Sequence, residues 1–190
     1  MLSELKPVAK LPESLQQRTT LNLGCGLKYV SEALNVDVAA EANPDVVQDL
    51  NRVPWSLPSD HFRDVLAFDV IEHLDDFIAT MEEIHRVCRA GALVRVTVPH
   101  FSCANAFTDP THRRLFGYFS FDYVTDQSEM QHYTTVRFKK QYSRLMFYPS
   151  LVNKLVARLA NRYPTAYERR WAWIFPAWYL YFELQVLDDE

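Results

Sequence analysis

Two of the four glycines in this 190-residue chain lie close together, in the run Leu-Asn-Leu-Gly-Cys-Gly at residues 21–26. A strand that ends at glycine lets the backbone approach a ligand closely, because no Cβ stands in the way. Eleven residues after Gly26, a second short apolar run ends in Asp37. A carboxylate at the end of a neighbouring strand can accept hydrogen bonds from ribose hydroxyls. The spacing therefore predicts a nucleoside-binding edge of an α/β sheet.

Other nucleotide-binding motifs fit this pattern poorly. A dinucleotide fingerprint needs Gly-x-Gly-x-x-Gly with an acidic residue about 20 positions further on. Here Tyr29 occupies the third glycine position, and Asp37 follows Gly24 by only 13 residues. No Gly-Lys-Ser/Thr follows the glycines, which excludes a phosphate-binding P-loop. A lone Gly-x-Gly is also consistent with a tight turn that binds nothing. The surrounding elements must therefore decide between a binding loop and a simple turn.

The apolar runs of the first hundred residues predict a largely parallel sheet with helices on its faces. Short helical character is predicted near residues 13–17, and a longer helix over 75–89 with Gly91 as its C-cap. Strands are predicted at residues 20–23, 34–38, 45–50, 64–68 and 93–98. Strands that alternate with helices or loops in this way are typical of an α/β domain.

The second half of the chain has a different character. Residues 100–132 are rich in His, Phe, Tyr and Asp, and predict a long functional loop with a short helix. An amphipathic helix is predicted from residue 151 onward, and a final strand at 179–187, where apolar residues alternate. We expect this tail, residues 150–187, to fold against the sheet.

Composition limits the classes of function. The hydrophobic fraction of 48% over 190 residues predicts one folded domain. A formal net charge of −4 argues against a protein whose main task is to grip nucleic-acid phosphates. The three cysteines lack metal-ligand spacing, so free thiols, no metal site and a cytoplasmic location are expected. The most apolar stretch, 171–187, is too short to span a bilayer, so no membrane insertion is expected.

Several motifs follow one another in a fixed order. They are Leu-Asn-Leu-Gly-Cys-Gly (21–26), Asn-Val-Asp (35–37), Gln-Asp-Leu-Asn (48–51), Asp-Val-Ile-Glu-His-Leu (69–74), Arg-Ala-Gly (89–91) and Val-Thr-Val-Pro (96–99). This set resembles the class I S-adenosylmethionine (SAM)-dependent methyltransferases, and is most similar to a small bacterial type often encoded among glycan-assembly enzymes. The resemblance covers residues 20–100, the segment 109–114 and the final strand. It implies a single-domain Rossmann-like sandwich, with a mostly parallel seven-stranded sheet and helices on both faces.

The resemblance also implies a cofactor site for SAM and its product S-adenosylhomocysteine (SAH). Gly24 and Gly26 match the loop that passes under the methionine and ribose of the cofactor. Asp37 matches the residue that accepts the ribose hydroxyls. Asn22 stands where many relatives carry Glu or Asp, so a carboxylate contact at that position is not expected.

Three further positions match the rest of the cofactor. Asp49 and Leu50 match the pair that meets adenine, through a carboxylate and a backbone N–H. Phe68 matches the end of the fourth strand, where a backbone carbonyl meets the methionine amino group.

A base is needed if the acceptor is a hydroxyl or a protonated amine. The candidates with the best positions are His100 and His112, and His73, Asp109 and Tyr118 are further ones. His100 follows the fifth strand, and ligands of open α/β sheets bind outside the carboxyl ends of strands. We expect the loop from residue 100 to 123 to close over the acceptor. An ordinary ion-paired surface cluster is the alternative for the region around His112.

These observations favour transfer of a methyl group from SAM to a small-molecule or carbohydrate-like acceptor. The alternatives are a scaffold that keeps the fold without turnover, and another SAM-using transferase such as an aminopropyl transferase. The expected organisation is a lead-in at residues 1–19 and a methyltransferase domain at 20–190. Residues 20–100 form its cofactor-binding half, and 100–190 carry the acceptor loop and the C-terminal strands. Homo-oligomerisation is left open, and no nucleic-acid partner is expected.

Overall fold

The computed structural model describes residues 13–126 and 133–188, and a seven-stranded sheet forms its centre. The strands are β1 Thr20–Leu23, β2 Ala33–Asp37, β3 Val46–Val47, β4 Phe62–Phe68, β5 Cys88–Pro99, β6 Phe138–Met146 and β7 Tyr179–Val186. They lie side by side in the order β3-β2-β1-β4-β5-β7-β6. The pairs among β1 to β5 are parallel, whereas β7 runs antiparallel to both β5 and β6. This mostly parallel sheet confirms the predicted fold class.

Helices and short turns connect these strands. The helices are α1 Glu13–Gln16, α2 Phe77–Val87, α3 Asn105–Thr108, α4 Leu151–Arg162 and α5 Pro164–Arg170. Single 3₁₀ turns lie at Ala40–Ala42, Ile71–His73 and Ser120–Val124. Because β1 to β5 are parallel, their carboxyl ends share one edge of the sheet, and the residues that follow them meet there.

The core lies on the apolar faces of the sheet. Val65 on β4 and Val94 on β5 are fully buried. On β7 the residues alternate between buried and partly exposed, and Leu180, Phe182 and Leu184 are the buried ones, as predicted. Burying each such side chain stabilises the fold by about 1.5–3 kcal/mol. The final strand is therefore part of the core and docks the end of the chain onto β5.

The helix predicted over 75–89 begins and ends slightly inside those limits. Asp76 is its N-cap, and the Asp76 carboxylate accepts the backbone N–H of Ala79 at 3.0 Å. The prediction that Gly91 caps the C-terminus is wrong, because α2 passes directly into β5 at Cys88. Gly91 lies within β5 with φ +80°, where the pairing with β4 is irregular. The positive φ of Gly91 therefore serves a distortion of the strand and does not end a helix.

The connection from β1 to β2, residues 24–32, contains no helix and is shaped by side-chain amides. Asn22 donates to the carbonyl of Lys28 and to Oδ1 of Asn35, both at 2.9 Å. Asn35 in turn accepts the N–H of Val30 and donates to its carbonyl. Asp45 accepts the backbone N–H of Asn35 at 2.8 Å. The amide at position 22 thus organises the glycine loop, which a carboxylate, having no donor, would not do.

The C-terminal tail fits the prediction in part. β7 lies between β5 and β6, and Asn161 on α4 binds the backbone of Leu145 on β6. The apolar face of α4, however, points to solvent: Leu151 is 85% exposed and Leu155 is 63% exposed. The expectation that the whole tail packs against the sheet is therefore wrong for this face. Within residues 13–126 and 133–188, none of the helices has the length and apolar character needed to cross a bilayer.

Candidate active site

The glycine loop leaves β1 in a conformation that favours glycine. Gly24 has φ +58°, and a Cβ at this position would lie 2.4 Å from Cγ2 of Val70. The close approach of Val70, at the end of β4, thus requires the missing side chain. Gly26 has φ +46° and open space around it. Its backbone N–H donates to Oδ2 of Asp37 at 2.7 Å.

Asp37 lies at the carboxyl end of β2 and holds two loops at once. Its Oδ2 accepts the N–H of Gly26, and its Oδ1 accepts the N–H of Ala39 at 2.8 Å. Each carboxylate oxygen has a second acceptor site, so both oxygens can still accept a hydroxyl donor. The backbone bonds fix the orientation of the carboxylate in advance of any ligand.

Beside Asp37 lies a cavity of about 320 Å³, here named the cofactor cavity. It is lined by Gly24, Asp37, Val38, Gln48, Asp49, Leu50, Asn51, Asp69, Val70, His73 and Leu74. The structure therefore brings together Gly24, Asp37, Asp49 and Leu50 of the predicted site. Phe68 does not line the cavity, although the next residue, Asp69, does.

Asp69 was missed by the sequence analysis and occupies a strained turn directly after β4. Its φ is +59°, which is uncommon for a residue other than glycine. The carboxylate accepts Oγ1 of Thr97 and Nζ of Lys28, both at 2.8 Å. These contacts hold the turn in its unfavourable conformation, and backbone strain of this kind clusters at ligand sites. The available signal was a carboxylate immediately after a buried strand.

A second cavity of about 480 Å³, here named the acceptor cavity, adjoins the first. It is lined by Asp69, Glu72, His73, Asn105, Thr108, Asp109, Pro110, His112 and Tyr179. Asp69 and His73 line both cavities and so form the wall between them. The segment after β5 supplies most of the remaining lining, including His112. Residues 105–112 of the expected loop therefore lie on this cavity.

Two histidines and a carboxyl group meet in the acceptor cavity. The rings of His73 and His112 pack edge to face, with their centroids 4.7 Å apart. Burial lowers the pKa of His73, and the neighbouring His112 lowers it further. Glu72 is only 1% exposed, and burial raises the pKa of its carboxyl to about 8, with a further contribution from the charges of Asp69 and Asp109. Sequence reasoning missed Glu72, because a Glu beside a His in a short turn gives no sign that it is buried.

His100 does not lie on either cavity. Its side chain is fully buried, Nδ1 contacts Oγ of Ser102 at 2.8 Å, and Nε2 contacts Oε1 of Glu168 at 3.2 Å. Directly after β5, the backbone of His100 forms a parallel β-bridge with Phe116, which is itself buried. With both ring nitrogens engaged and no access to an acceptor, His100 is not placed to act as the predicted base. It is a structural residue.

The Phe and Tyr side chains of residues 100–123 do not line the acceptor cavity. Phe116 is buried and stacks on Phe121 in the core, with ring centroids 5.6 Å apart. Tyr118 contacts the hydroxyl of Ser143 at 2.8 Å and lies away from the acceptor cavity. The described lining of that cavity is therefore mainly polar, with Tyr179 as its aromatic member.

The fold is that of the SAM-dependent methyltransferases. The chain is similar to a SAM-dependent methyltransferase from Archaeoglobus fulgidus, with a TM-score of 0.62 and 16% sequence identity over 90% of this chain and 87% of that one. It is also similar to an S-adenosylmethionine-dependent methyltransferase from Mesorhizobium loti, with a TM-score of 0.55 and 12% identity over 90% and 94% of the two chains. No protein-family model and no curated protein matches the sequence.

The same fold also carries other chemistry. The [4+2]-cyclase SpnF matches with a TM-score of 0.52 and 16% identity, over 92% of this chain and 79% of that one. At such identities a likeness establishes the fold alone. The activity has to be argued from the site itself.

Proposed function

We propose that this protein is a SAM-dependent methyltransferase, with SAM in the cofactor cavity and the acceptor in the acceptor cavity. The observation that carries the proposal is the shared wall formed by Asp69 and His73. A methyl donor and its acceptor must meet in line, with the reacting atoms about 3–3.5 Å apart. Two adjoining cavities at the carboxyl ends of parallel strands, which share Asp69 and His73, support the proposal because they would hold donor and acceptor side by side.

The cofactor cavity offers a group for each part of SAM. The Asp37 carboxylate would accept hydrogen bonds from the two ribose hydroxyls, because each of its oxygens has a lone pair that is not used by the backbone N–H groups of Gly26 and Ala39. Asp49 would take the exocyclic amine of adenine, and the N–H of Leu50 would face a ring nitrogen. The carbonyl of Phe68 and the turn at Asp69 would meet the methionine end.

For the acceptor we propose a small, polar or carbohydrate-like molecule. The acceptor cavity, at about 480 Å³, lies within the range of small-molecule sites. Its polar side chains, among them Asn105 and Asp109, suit a molecule with several hydroxyl groups. The glycan class itself comes from the resemblance of the motifs.

The transfer is a single displacement. A lone pair on the acceptor atom forms a bond to the methyl carbon while the S–C bond breaks, and the bonding pair remains on sulfur, so SAM becomes SAH. The sulfonium is an activated donor, and the protein mainly supplies approach geometry and excludes water. A hydroxyl acceptor also has to lose a proton. Of the two predicted bases, only His112 lies on the acceptor cavity.

One observation favours a second candidate. Asp69, Glu72 and Asp109 place three carboxyl groups on the acceptor cavity, which suits a cationic amine. An aminopropyl transferase would use decarboxylated SAM and such an acceptor. Comparison of the affinities of SAM and decarboxylated SAM separates the two candidates, because each enzyme class must prefer its own donor. A scaffold without turnover would bind either donor and form no product.

The proposed function is tested by product formation with a labelled donor. The protein is incubated with methyl-labelled SAM and panels of nucleotide sugars, free glycans and amines, and products are analysed by mass spectrometry. We expect labelled methyl groups in a member of the sugar panels, and none with the Asp37→Ala variant. Tight SAM binding with unlabelled acceptors throughout would favour the scaffold instead.

A further inference from the structure

Glu72, His73 and His112 form a cluster of ligand groups in the acceptor cavity, here named the Glu72 cluster. Each of the three offers one oxygen or nitrogen atom, and these atoms all lie within 4.8 Å of one another. The residues come from two segments that are joined by a backbone hydrogen bond, from the N–H of Arg113 to the carbonyl of Glu72 at 2.7 Å. The 3₁₀ turn after β4 and the loop that carries His112 are thereby held in fixed register.

Glu72 lacks a partner that its burial demands. Its residue is 1% exposed, and among the residues that the structure describes, none donates a hydrogen bond to its Oε2. A buried carboxylate oxygen without a donor costs free energy, and such groups are rare unless they bind a proton, a water molecule or an ion. The orphaned oxygen belongs to the same carboxyl group that approaches the two histidines in the Glu72 cluster.

The hydrogen bonds of His73 fix which of its nitrogens is free. The Thr111 hydroxyl donates to Oδ1 of Asp109 at 2.6 Å, so its oxygen can only accept from Nδ1 of His73 at 2.8 Å. Nδ1 therefore carries the proton, and Nε2 keeps its lone pair. Asp109 thus acts on His73 through the Thr111 hydroxyl, and metal-bound histidines usually donate their second ring N–H to an oriented acceptor in this way.

His112 is held in the same tautomer by a different partner. Its Nδ1 lies 3.3 Å from the carbonyl oxygen of Ala106. A carbonyl can only accept, so Nδ1 is again the donor and Nε2 keeps its lone pair. Nε2 of His73 and of His112 thus each keep a lone pair, and Oε2 of the Glu72 carboxyl has no donor among the described residues.

We propose that the Glu72 cluster binds a divalent first-row transition-metal cation through Glu72, His73 and His112. Two imidazoles and one carboxylate suit Mn²⁺, Fe²⁺, Co²⁺ or Zn²⁺, whereas Mg²⁺ and Ca²⁺ prefer oxygen ligands throughout. Three protein ligands leave coordination positions open toward the acceptor cavity. Those positions are where a hydroxylated acceptor would bind.

This proposal rests on the proposed function and refines its chemistry. A hydroxyl group bound to the cation has a lowered pKa and releases its proton to solvent water. Its oxygen lone pair then forms the bond to the methyl carbon while the S–C bond breaks toward sulfur. His73 also lines the cofactor cavity, so the bound oxygen would lie on the side of the donor. His112 then acts as a ligand and not as the general base.

Cation binding is measured on the full-length protein without SAM or acceptor. Co²⁺ is titrated into metal-free protein and followed by its visible absorption, and Mn²⁺ binding is followed by electron paramagnetic resonance. We expect one site in the wild type. The variants His112→Ala and Glu72→Gln should weaken Co²⁺ binding by roughly 100-fold, because loss of a group that only supports a metal ligand already costs about 10–100-fold in affinity. His61→Ala is the matched control, because His61 lies at the start of β4 outside both cavities and should leave the affinity unchanged.

Two outcomes overturn the proposal: the absence of Co²⁺ and Mn²⁺ binding at millimolar concentration, or equal affinity in wild type and His112→Ala. His112 is partly exposed, so its variant is expected to fold, and a thermal unfolding curve checks this. SAH affinity is measured in a separate experiment, with a chelator present so that no cation is bound. SAH binding without cation binding overturns the metal site alone. Cation binding without SAH binding overturns the proposed function and leaves the metal site standing.

An independent observation concerns the surface formed by α4, α5 and the turn after them, here named the α4–α5 surface. It exposes large apolar side chains, among which Leu151 is 85% and Trp173 is 68% exposed. The others that are mostly or half exposed are Val152, Leu155, Leu159, Tyr163, Trp171 and Ile174. An exposed apolar surface of this extent marks an interaction site.

The charge on the α4–α5 surface is one-sided. Lys154, Arg158, Arg162, Arg169 and Arg170 are all exposed. The acidic residue of this region, Glu168, turns inward to His100 and to the N–H of Tyr118. The chain as a whole carries a formal net charge of −4, so the positive charge of this surface is opposite in sign to the net charge of the protein. Exposed Leu and Trp side chains combined with exposed Lys and Arg side chains are typical of helices that lie on anionic bilayers.

We infer that the α4–α5 surface docks on a membrane that contains anionic lipids, without spanning it. The test is co-sedimentation with vesicles of phosphatidylglycerol and phosphatidylcholine, compared with phosphatidylcholine alone. Each lost cation should weaken binding about fivefold, so Arg158→Ala with Arg169→Ala should lower it about 25-fold. Arg89→Ala, an exposed cation elsewhere, is the control. Binding that ignores lipid charge, or self-association without vesicle binding, overturns the inference.

Discussion

The carboxylate of Asp37 accepts the backbone N–H of Gly26 at 2.7 Å, so the end of β2 closes the turn that leaves β1. The two residues are eleven positions apart in the sequence, and no helix lies between their strands. In place of a helix, a network of side-chain hydrogen bonds holds the intervening loop. The shape of the cofactor cavity thus depends on a small number of polar contacts, and each of them can be tested.

The first prediction concerns the two glycines. Gly24→Ala should destabilise the protein by about 2–4 kcal/mol, because it adds the cost of a positive φ to a clash with Val70. Gly26→Ala should cost only about 1–2 kcal/mol, since its surroundings are open. Urea unfolding measures both. Val70→Ala in the Gly24→Ala background should recover part of the loss, and equal costs for the two glycine variants would contradict the clash.

The second prediction concerns Asp45, which anchors the β1–β2 loop. Burial alone would raise the pKa of its carboxyl, but hydrogen bonds from Asn35 and Tyr29 and the charge of Arg18 outweigh burial and lower the pKa. A lowered folded-state pKa means that the stabilisation is complete above the ordinary Asp pKa of about 3.9 and is lost as the pH falls through the folded-state value. Asp45→Asn should therefore be less stable than wild type at pH 7, by about 1–3 kcal/mol.

That difference should shrink as unfolding is repeated at pH values below the ordinary Asp pKa of about 3.9, because the carboxyl of the unfolded wild type then takes up a proton while the folded one resists it. Glu41→Gln, an exposed acid on the nearby 3₁₀ turn, serves as the control. A gap between wild type and Asp45→Asn that stays constant with pH would show that shape and not charge matters at this position.

The third prediction separates the two histidines that the sequence proposed as bases. His100→Ala should lower the free energy of unfolding by about 2–4 kcal/mol, because it opens a cavity and removes one of the two hydrogen-bond partners of Glu168. SAH affinity should remain unchanged in that variant. His112→Ala should unfold much like wild type and lose acceptor turnover. The reverse pattern, with a stable and inactive His100→Ala, would restore the original assignment of His100.

Much of the fold was predictable because it follows from local patterns. Apolar runs bounded by Gly, Asp or Pro marked the parallel strands, and the alternation of Leu180, Phe182 and Leu184 marked β7. Gly91 shows the limit of such patterns. A glycine after a helix and a glycine in a distorted strand have the same local sequence, and only the pairing of β4 with β5 decides between them.

The part of the site that lies at the ends of strands was predictable, whereas the part that depends on contacts between distant segments was less so. Gly24, Asp37, Asp49 and Leu50 follow parallel strands, and the sheet brings them to one cavity. His100 also follows a strand, but its side chain is buried against Ser102 and Glu168. The approach of His112 to Glu72 joins segments 40 residues apart, and no local signal in the sequence announces it.

The measurement that tests the central claim most directly is calorimetric titration of SAH into the wild type, Asp37→Ala and Glu41→Ala. We predict that SAH binds to the wild type and to Glu41→Ala with equal affinity. Asp37→Ala should bind more weakly by about 1–3 kcal/mol, since the ribose hydroxyls lose a charged acceptor. Equal SAH affinity in all three proteins would remove Asp37 from the cofactor site. No binding to the wild type at millimolar SAH would contradict the assignment of this fold to SAM chemistry.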